Sequence, residues 1–208
     1  MELKLIRKRD IFLASVCGFF AGFFLILIIK NPLIDEFSAL VGFGNLIWLL
    51  PFIFSFIFLL GVVIAKIIFR SVEFLFQFVK FAETGVLNTF IDMGIYNALI
   101  WVTGITSGAL MIPINIFSFS CATGNSYFWN KFWTFKKGDK AKTKEFLEFF
   151  AVTMVGMAIN TFIVFLGTTF LPSMGLSDGA WANLVKVGAT MISMIWNFVG
   201  YKFIVFKK

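Results

Sequence analysis

Six stretches of this chain are almost entirely apolar, and short polar segments separate them. The first, residues 11–29, carries no charge and has about the 20 residues that a helix needs to cross the apolar core of a membrane. Asp92 interrupts the third stretch, Lys186 interrupts the sixth, and Pro51 is a candidate kink in the second. The pattern predicts an all-α polytopic membrane protein with six transmembrane helices, at residues 11–29, 45–69, 85–101, 111–132, 149–171 and 181–201.

Two parts of the sequence repeat each other. Residues 126–137 and 197–208 each place a polar residue and a lysine in the last turns of a predicted helix, followed by a basic pair. Upstream of them, the tetrapeptides at 87–90 and 159–162 share the triplet Asn-Thr-Phe. The repeats predict two copies of a helical hairpin, at about residues 74–137 and 144–208, within a four-helix domain over residues 71–208. Residues 1–70 lack the motifs and are predicted to form a separate N-terminal two-helix hairpin.

A polar stripe precedes the third predicted span. Arg70, Glu73, Gln77, Lys80 and Thr84 recur at steps of three and four residues, with phenylalanine and leucine on the other face. Such a pattern is typical of an amphipathic helix that lies in the membrane interface. We therefore expect this segment to lie at the inner interface before the third span begins.

The distribution of basic residues predicts the orientation in the membrane. The most basic loop is 136–144, and short loops rich in lysine and arginine stay on the cytoplasmic side. With six spans, both termini are then cytoplasmic. We expect a multi-pass protein of the cell membrane, either a plasma or a bacterial inner membrane.

Composition narrows the chemistry. Apolar residues make up 60% of the chain and mean hydropathy is +0.93, above the range of soluble domains. The sequence has no histidine, which excludes serine–histidine and cysteine–histidine mechanisms and removes the commonest zinc ligand. The two cysteines lie inside apolar runs without metal or disulfide spacing. We therefore expect no enzyme activity, no metal and no cofactor. The basic loop is expected to meet anionic membrane lipids rather than nucleic acid.

Asp92 is the most informative carboxylate, because an acid within a span needs a partner or water. Asn88, Asp92 and Tyr96 are four residues apart and share one face of the third helix. Asp92 is expected about 10 Å from the cytoplasmic end of that span. Two interpretations remain open at this point: Asp92 lines a substrate pathway, or a lysine or backbone group neutralises it and it fixes helix register.

Lys131 and Lys202 end the fourth and sixth spans, behind the matched polar residues Ser126 and Asn197. Lysines at inner helix ends set topology and extend to the interface, but two converging cations also suit a phosphate. Asparagines such as Asn160 fit a sugar or phosphate ligand and, equally, hydrogen bonds between helices. For Lys186 the sequence favours a side chain that extends outward, toward Asp178.

The chain resembles the GtrA-like membrane proteins, a family that includes teichoic-acid glycosylation proteins. The resemblance rests on residues 81–94, 126–135 and 197–206, and it covers about residues 78–208. It implies a four-helix core that moves polyprenyl-phosphate-linked sugars across the membrane. Motif positions that match are Gly85, Asn88, Asp92, Asn130, Lys131, Trp133, Phe135, Asn197, Lys202 and Phe206. Glu83, where an apolar residue is usual, Lys186 and the N-terminal hairpin depart from the family pattern.

The resemblance and the polar residues together predict a flippase for a polyprenyl-phosphate-linked monosaccharide that serves cell-surface polysaccharide or cell-wall glycosylation. The expected partners are that sugar lipid, membrane lipids and a membrane glycosyltransferase. A homodimer is left open, because a single chain has few helices with which to enclose the headgroup. Alternatives are a small proton-coupled exporter of the small-multidrug type and a membrane scaffold for a glycosyltransferase. The expected substrate-binding residues are Asn88, Asp92, Tyr96, Ser126, Asn130, Lys131, Asn160, Asn197 and Lys202.

Overall fold

The computed structural model describes residues 7–69, 72–134, 143–200 and 204, and this part of the chain is helical without any strand. In chain order the α-helices are α1 (Lys8–Ile29), α2 (Ser38–Val41), α3 (Leu50–Ile68), α4 (Glu73–Thr103), α5 (Met111–Trp129), α6 (Thr143–Phe170) and α7 (Asp178–Gly200). Two 3₁₀ segments, Asp35–Phe37 and Gly44–Leu49, flank α2, and a π-helical turn, Asn130–Thr134, follows α5. The predicted all-α fold is confirmed.

Among the described residues, four helical segments are long and apolar enough to cross a membrane: Lys8–Ile29, Gly44–Ile68, Val79–Thr103 and Leu147–Phe170. The two remaining predicted spans fall in α5 and α7, which have 19 and 23 residues. At 1.5 Å per residue α5 is about 28 Å long, so its length suffices. Amides, hydroxyls and one lysine lower the hydropathy of these two helices. That α5 and α7 also cross the membrane stays a prediction.

The helices form two compact units. Unit 1 contains the described residues of 1–30, 39–95 and 120–136, and unit 2 those of 31–38, 96–119 and 137–208. The long helix α4 and the helix α5 are continuous, and each contributes one part to either unit. The predicted division into a hairpin at 1–70 and a domain at 71–208 stays a prediction.

In unit 1, α1 packs closely against α3 through small residues. A Cβ atom added at Gly18 would collide with the backbone carbonyl of Phe54, and one at Gly22 would lie 2.5 Å from the carbonyl oxygen of Leu50. Small residues let helix backbones approach in a membrane, where packing rather than hydrophobicity drives association. The two glycines therefore allow the close packing of α1 against α3.

Pro51 does not lie in the middle of a helix. The chain forms the 3₁₀ segment Gly44–Leu49 first, and the α-helix then begins at Leu50, which places Pro51 in the first turn of α3. The missing N–H and fixed φ of proline suit that position, since the first N–H groups of a helix have no intrahelical partner. The candidate kink in the second span is therefore wrong.

The polar segment before the third span is continuous with it in the 31-residue helix α4. Lys80 and Thr84, predicted to face the interface, are only 2% and 0% exposed. Lys80 lies 3.7 Å from the carboxylate of Asp10 on α1, and the Thr84 hydroxyl donates to the carbonyl of Lys80. The interfacial stripe is therefore wrong at these two positions, because a buried partner on α1 holds the lysine inside unit 1.

In unit 2, a short polar segment before α2 is fixed to the start of α7. Ser177 directly precedes α7, and its hydroxyl accepts a hydrogen bond from the Ala180 N–H at 3.3 Å, as an N-cap does. Glu36 accepts from the Ser177 hydroxyl at 2.8 Å and from the Ser177 N–H at 3.1 Å. The apolar core of this unit consists of Tyr96, Ile100, Met111, Ile114, Val164, Ala182 and Ala189.

Candidate functional site

Lys186 is the central residue of a buried polar cluster in unit 2. Its side chain is 0% exposed, and its ammonium donates to Asn115 Oδ1 at 2.5 Å and to Ser118 Oγ at 3.2 Å. The same ammonium lies 4.9 Å from the ring centroid of Tyr96, a cation–π distance. The predicted outward extension of Lys186 is wrong, because α5 supplies two acceptors one turn apart that hold the ammonium inside.

Amides and hydroxyls from three helices continue the cluster. Asn115 on α5 donates its two amide hydrogens to Asn160 Oδ1 and Thr161 Oγ1 on α6, both at 2.9 Å. The Asn160 amide in turn lies 3.4 Å from Thr190 Oγ1 and 3.5 Å from Ser193 Oγ on α7. We call this group the Lys186 cluster; its members are Tyr96, Asn115, Ser118, Asn160, Thr161, Lys186, Thr190 and Ser193.

Helix periodicity explains why these side chains meet. On α7, residues 186, 190 and 193 are four and three positions apart, so they lie on one face. Asn115 and Ser118 are three apart on α5, and Asn160 and Thr161 are adjacent on α6. Each of the three helices α5, α6 and α7 thus turns a few polar side chains toward the other two. Their polar groups therefore bond one another within unit 2.

The donor set of the Lys186 cluster fits an anion or a polyol. A lysine ammonium binds phosphate oxygens as a point charge, and amide and hydroxyl groups both donate to and accept from sugar hydroxyls. Metal binding is a poor fit: in the part of the chain that the structure describes, no group of three or more Cys, Asp or Glu side chains could hold an ion. The cluster is therefore chemically suited to a phosphate-linked sugar headgroup.

Unit 2 contains a second group of hydrogen-bonded polar side chains. Asn31 donates to Asn97 Oδ1 at 2.8 Å, and the amides of Asn97 and Asn183 exchange hydrogen bonds at 2.6 and 2.8 Å. Asn183 also donates to the carbonyl of Gly179 at 2.9 Å. These bonds occupy most of the amide groups of the three asparagines. The hydrogen bonds therefore join the 31–38 segment to α4 and α7.

Three of the predicted site residues lie in unit 1. The Asn88 side-chain oxygen accepts from the Asn125 amide at 2.6 Å, and Asn125 Oδ1 accepts from the Trp129 indole at 2.9 Å. Asp92 is buried on α4, and Ser126 is half-buried on α5. Asn88 is thus engaged between α4 and α5, and a substrate role for it stays a prediction.

Three further predicted residues lie in unit 2. Tyr96 and Asn160 belong to the Lys186 cluster, and the Tyr96 hydroxyl is 3.4 Å from the carbonyl of Ala182. Asn197 is half-buried against Gly156, and its Oδ1 has no hydrogen-bond partner among the residues that the structure describes. Lys202 and the side chains of Asn130 and Lys131 lie outside the described part of the chain, so the meeting of the two lysines stays a prediction.

Two pairs of asparagines with the same spacing along the chain make different contacts. Asn88 and Asn125 are 37 positions apart and bond each other. Asn160 and Asn197 have the same spacing, but Asn160 bonds to Asn115 and to hydroxyls of α7 instead. In the second repeat copy, Asn160 therefore belongs to the Lys186 cluster and does not bond to Asn197.

Sequence analysis missed four members of the cluster: Asn115, Ser118, Thr190 and Ser193. Their signal was present as polar residues at steps of three and four within two otherwise apolar spans. The repeat motifs drew attention away from it, because none of these four residues belongs to the echoed segments.

Unit 1 holds a separate buried polar group. Asp10, on the first turn of α1, accepts from the Trp133 indole at 3.1 Å in addition to its pairing with Lys80. Arg9 donates to the carbonyl of Phe132 at 2.6 Å. We call Asp10, Lys80 and Trp133 the α1 clasp, since they join the start of α1 to α4 and to the turn after α5.

Comparison with known proteins supports the family resemblance. The family model described as "GtrA/DPMS, transmembrane domain" matches residues 80–206. The uncharacterized membrane protein YngA of Bacillus subtilis (strain 168) is 30% identical over 127 residues, which cover 61% of this chain and 77% of YngA. No solved structure gives a significant match to the chain. The matched region includes the whole Lys186 cluster and leaves out α1 and α3.

Proposed function

Since the chain belongs to the GtrA/DPMS transmembrane-domain family, we propose that it moves a polyprenyl-phosphate-linked monosaccharide between the leaflets of the cytoplasmic membrane. The sugar and phosphate cannot cross hydrocarbon unaided, whereas the polyprenyl tail remains in lipid. The protein therefore has to supply polar contacts for the headgroup alone. The product would serve a membrane glycosyltransferase in cell-surface polysaccharide or cell-wall glycosylation.

The Lys186 cluster is the observation that carries this proposal. It gathers a buried lysine ammonium, two amides and five hydroxyls within the family domain. In our mechanism Lys186 binds the phosphate, while Asn115 and Asn160 exchange their mutual hydrogen bonds for bonds to the sugar. Such an exchange keeps every amide partnered in both states, which limits the cost of opening the cluster.

The proposal also includes the substrate contacts that the sequence predicted. Lys131 and Lys202 would receive the phosphate near the cytoplasmic ends of their helices, where positive-inside topology places them. Asn88, Asp92, Tyr96, Ser126, Asn130 and Asn197 complete the proposed substrate-binding set. Both termini are cytoplasmic in this proposal, and one repeat copy moves relative to the other during transport.

Reconstitution tests the proposal. Purified protein is placed in lipid vesicles with a labelled polyprenyl-phosphate sugar, and movement between leaflets is followed by a reagent confined to the outside. We expect wild type to exceed empty vesicles, and Lys186→Met to lose about tenfold to a hundredfold of the rate. That range corresponds to the about 1.5–3 kcal/mol of a hydrogen bond to a charged group.

Lys30→Met is the control: Lys30 is a half-buried lysine directly after α1, outside the family match, and its ammonium lies 4.5 Å from the centroid of the Trp48 ring. It should retain the wild-type rate. Movement no faster than in empty vesicles would reject the flippase proposal. Transport of lipophilic cations instead would favour the proton-coupled exporter, and glycosylation in cells without any movement would favour the scaffold.

A further inference from the structure

Glu83 is buried in unit 1 without the hydrogen bonds that a structural carboxyl normally makes. It lies on α4 with 9% of its surface exposed, and neither carboxyl oxygen has a hydrogen-bond partner among the described residues. A Cβ atom added at Gly61 on α3 would lie 2.8 Å from Glu83 Oε1. The absence of a side chain at Gly61 therefore provides the space that the carboxyl occupies.

The surroundings of Glu83 supply few charges. Lys80, one turn earlier on α4, interacts with it electrostatically, but the Lys80 ammonium is 3.7 Å from Asp10 and 4.7 Å from the Phe76 ring. On α1 the titratable neighbours are Asp10 and the thiol of Cys17. On α3 the nearest charge is Lys66, whose ammonium lies 4.8 Å from the Phe76 ring. Lys80, the one cation next to Glu83 among the described residues, is thus engaged by another carboxylate.

This arrangement suits a carboxyl that carries a proton. An ionised carboxylate is strongly disfavoured in an apolar site without hydrogen bonds, whereas the protonated acid is neutral. Glu83 is four residues beyond Val79, where the apolar span starts, which is about 6 Å along the helix axis. A proton from the aqueous side therefore has a short path to the carboxyl.

The site combines parts from inside and outside the family domain. The family match begins at residue 80, so it contains Glu83 but not Gly61, Cys17 or Asp10. Glu83 stands where an apolar residue is usual, and its carboxyl occupies the space that Gly61 on α3 leaves open. The N-terminal helices thus complete a polar position that the family domain alone would not enclose.

We propose that Glu83 is a proton-binding site, which takes up a proton from water and returns it to water as the surroundings of the carboxyl change. In the transport cycle, this exchange would couple sugar-lipid movement to the proton gradient, and that coupling rests on the function proposed above. The exchange forms and breaks only the carboxyl O–H bond and requires no other reactant.

Infrared spectroscopy on the full-length protein in lipid bilayers tests the site without any transport measurement. With glutamate carrying ¹³C in its carboxyl group, we expect a protonated-carboxyl band at neutral pH that is lost on raising the pH and returns on lowering it. The band should be missing from Glu83→Gln and retained in Glu148→Gln, which alters a half-buried glutamate of α6 in unit 2. The proposal would be overturned if wild type showed no protonated-carboxyl band that shifts with the ¹³C label, or if that band did not respond to pH.

The coupling is tested in the vesicle assay with and without an imposed pH gradient. Wild type should change its rate several-fold with the gradient, and Glu83→Gln should lose that response while still moving the lipid. Glu83→Leu provides a second variant that restores the apolar residue. Equal gradient responses in wild type and both variants would reject the coupling. A wild type without any lipid movement would reject the flippase function, and the infrared result would still decide whether Glu83 binds a proton.

Discussion

Asparagine pairs within the helices solve one physical problem at several positions. An amide buried in an apolar environment without a partner costs about 2–7 kcal/mol, depending on the reference state. The structure pairs Asn88 with Asn125 and Asn97 with Asn183, in each case between two helices. The amides of Asn115 and Asn160 meet in the same way next to Lys186. A sequence shows that such amides need partners but not which partners they find.

The Asn125 side chain should contribute measurably to stability. Asn125→Ala removes the donor to Asn88 and leaves the buried Trp129 indole without its acceptor. We expect a loss of about 1–3 kcal/mol in unfolding free energy, the cost of an unsatisfied buried polar group. Thr89→Ala is the control, because the exposed Thr89 hydroxyl donates to the carbonyl of Gly85 in its own helix; this variant should change stability by less than about 0.5 kcal/mol. Denaturant unfolding in detergent measures both, and equal effects would contradict the prediction.

Glu36 should make the attachment of the 31–38 segment depend on pH. Hydrogen bonds from its own backbone N–H, and then from the hydroxyl and N–H of Ser177, hold the pKa of Glu36 below its usual value. Because the folded pKa is the lower one, the carboxylate stabilises the folded form above the unfolded pKa of about 4.3. That contribution is lost as the pH falls through the folded pKa.

Hydrogen–deuterium exchange at the start of α7 tests this. At neutral pH we expect Glu36→Gln to speed exchange near Ser177 and Ala180, because the charged acceptor is gone. Asp35→Asn should exchange like wild type, since only the backbone N–H of Asp35 bonds to Ser177, at 3.3 Å. Below the folded pKa of Glu36, wild type and Glu36→Gln should converge. A difference that persists in acid would contradict the prediction.

At the scale of helices, the contact between α1 and α3 depends on backbone approach. Gly22→Ala places a methyl group 2.5 Å from the Leu50 carbonyl oxygen, so the two helices have to separate. We expect a loss of about 1–3 kcal/mol, as for other overpacked sites. Gly124→Ala on α5 is the matched control, because its added Cβ meets nothing within 4 Å. The higher helix propensity of alanine makes that variant neutral or stabilised by up to about 1 kcal/mol. Thermal unfolding that ranks the two variants the other way would contradict the proposed packing.

The sequence predicted helices better than it predicted side-chain surroundings. Each of the six predicted spans lies mainly within a helix, because long apolar runs specify helix position by length and hydropathy alone. The second span, predicted at 45–69, is Gly44–Ile68 in the structure, but hydropathy did not reveal that its first six residues form a 3₁₀ segment with Pro51 just beyond it. Lys80 was assigned to the interface as part of an amphipathic stripe, and Lys186 was expected to extend outward because lysines in membrane helices usually do. Their burial depends on Asp10 and Asn115, which lie on other helices.

At the scale of the whole chain, the family match and the compact units divide the protein differently. The match covers residues 80–206, whereas unit 1 combines α1 and α3 with the first part of α4 and the end of α5. The core of that unit includes Cys17 and Val62, which lie before the match, and Leu87, which lies within it. In unit 1 the N-terminal helices therefore share one apolar core with the first part of the family domain.

Removal of residues 1–70 should for this reason destabilise the rest of the chain. The shortened protein keeps the matched region but loses Asp10, which leaves the Lys80 ammonium without its carboxylate. Breaking a buried ion pair by removing one partner costs about 3–5 kcal/mol. Asp10→Asn in the full chain should have a cost of the same order, while Lys8→Gln, one exposed position on the same turn, should have almost none.

Lys80→Met separates this electrostatic effect from the loss of packing. In the shortened chain it removes a buried charge that has lost the Asp10 carboxylate, and it should recover part of the lost melting temperature. In the full chain it takes the Lys80 ammonium away from the buried carboxylate of Asp10, so it should destabilise. Thermal unfolding of the four proteins forms a double-mutant cycle in which the sign of the Lys80→Met effect reverses with the N-terminal helices. A shortened chain as stable as the full one, with Lys80→Met acting alike in both, would mean that residues 1–70 fold as an independent hairpin.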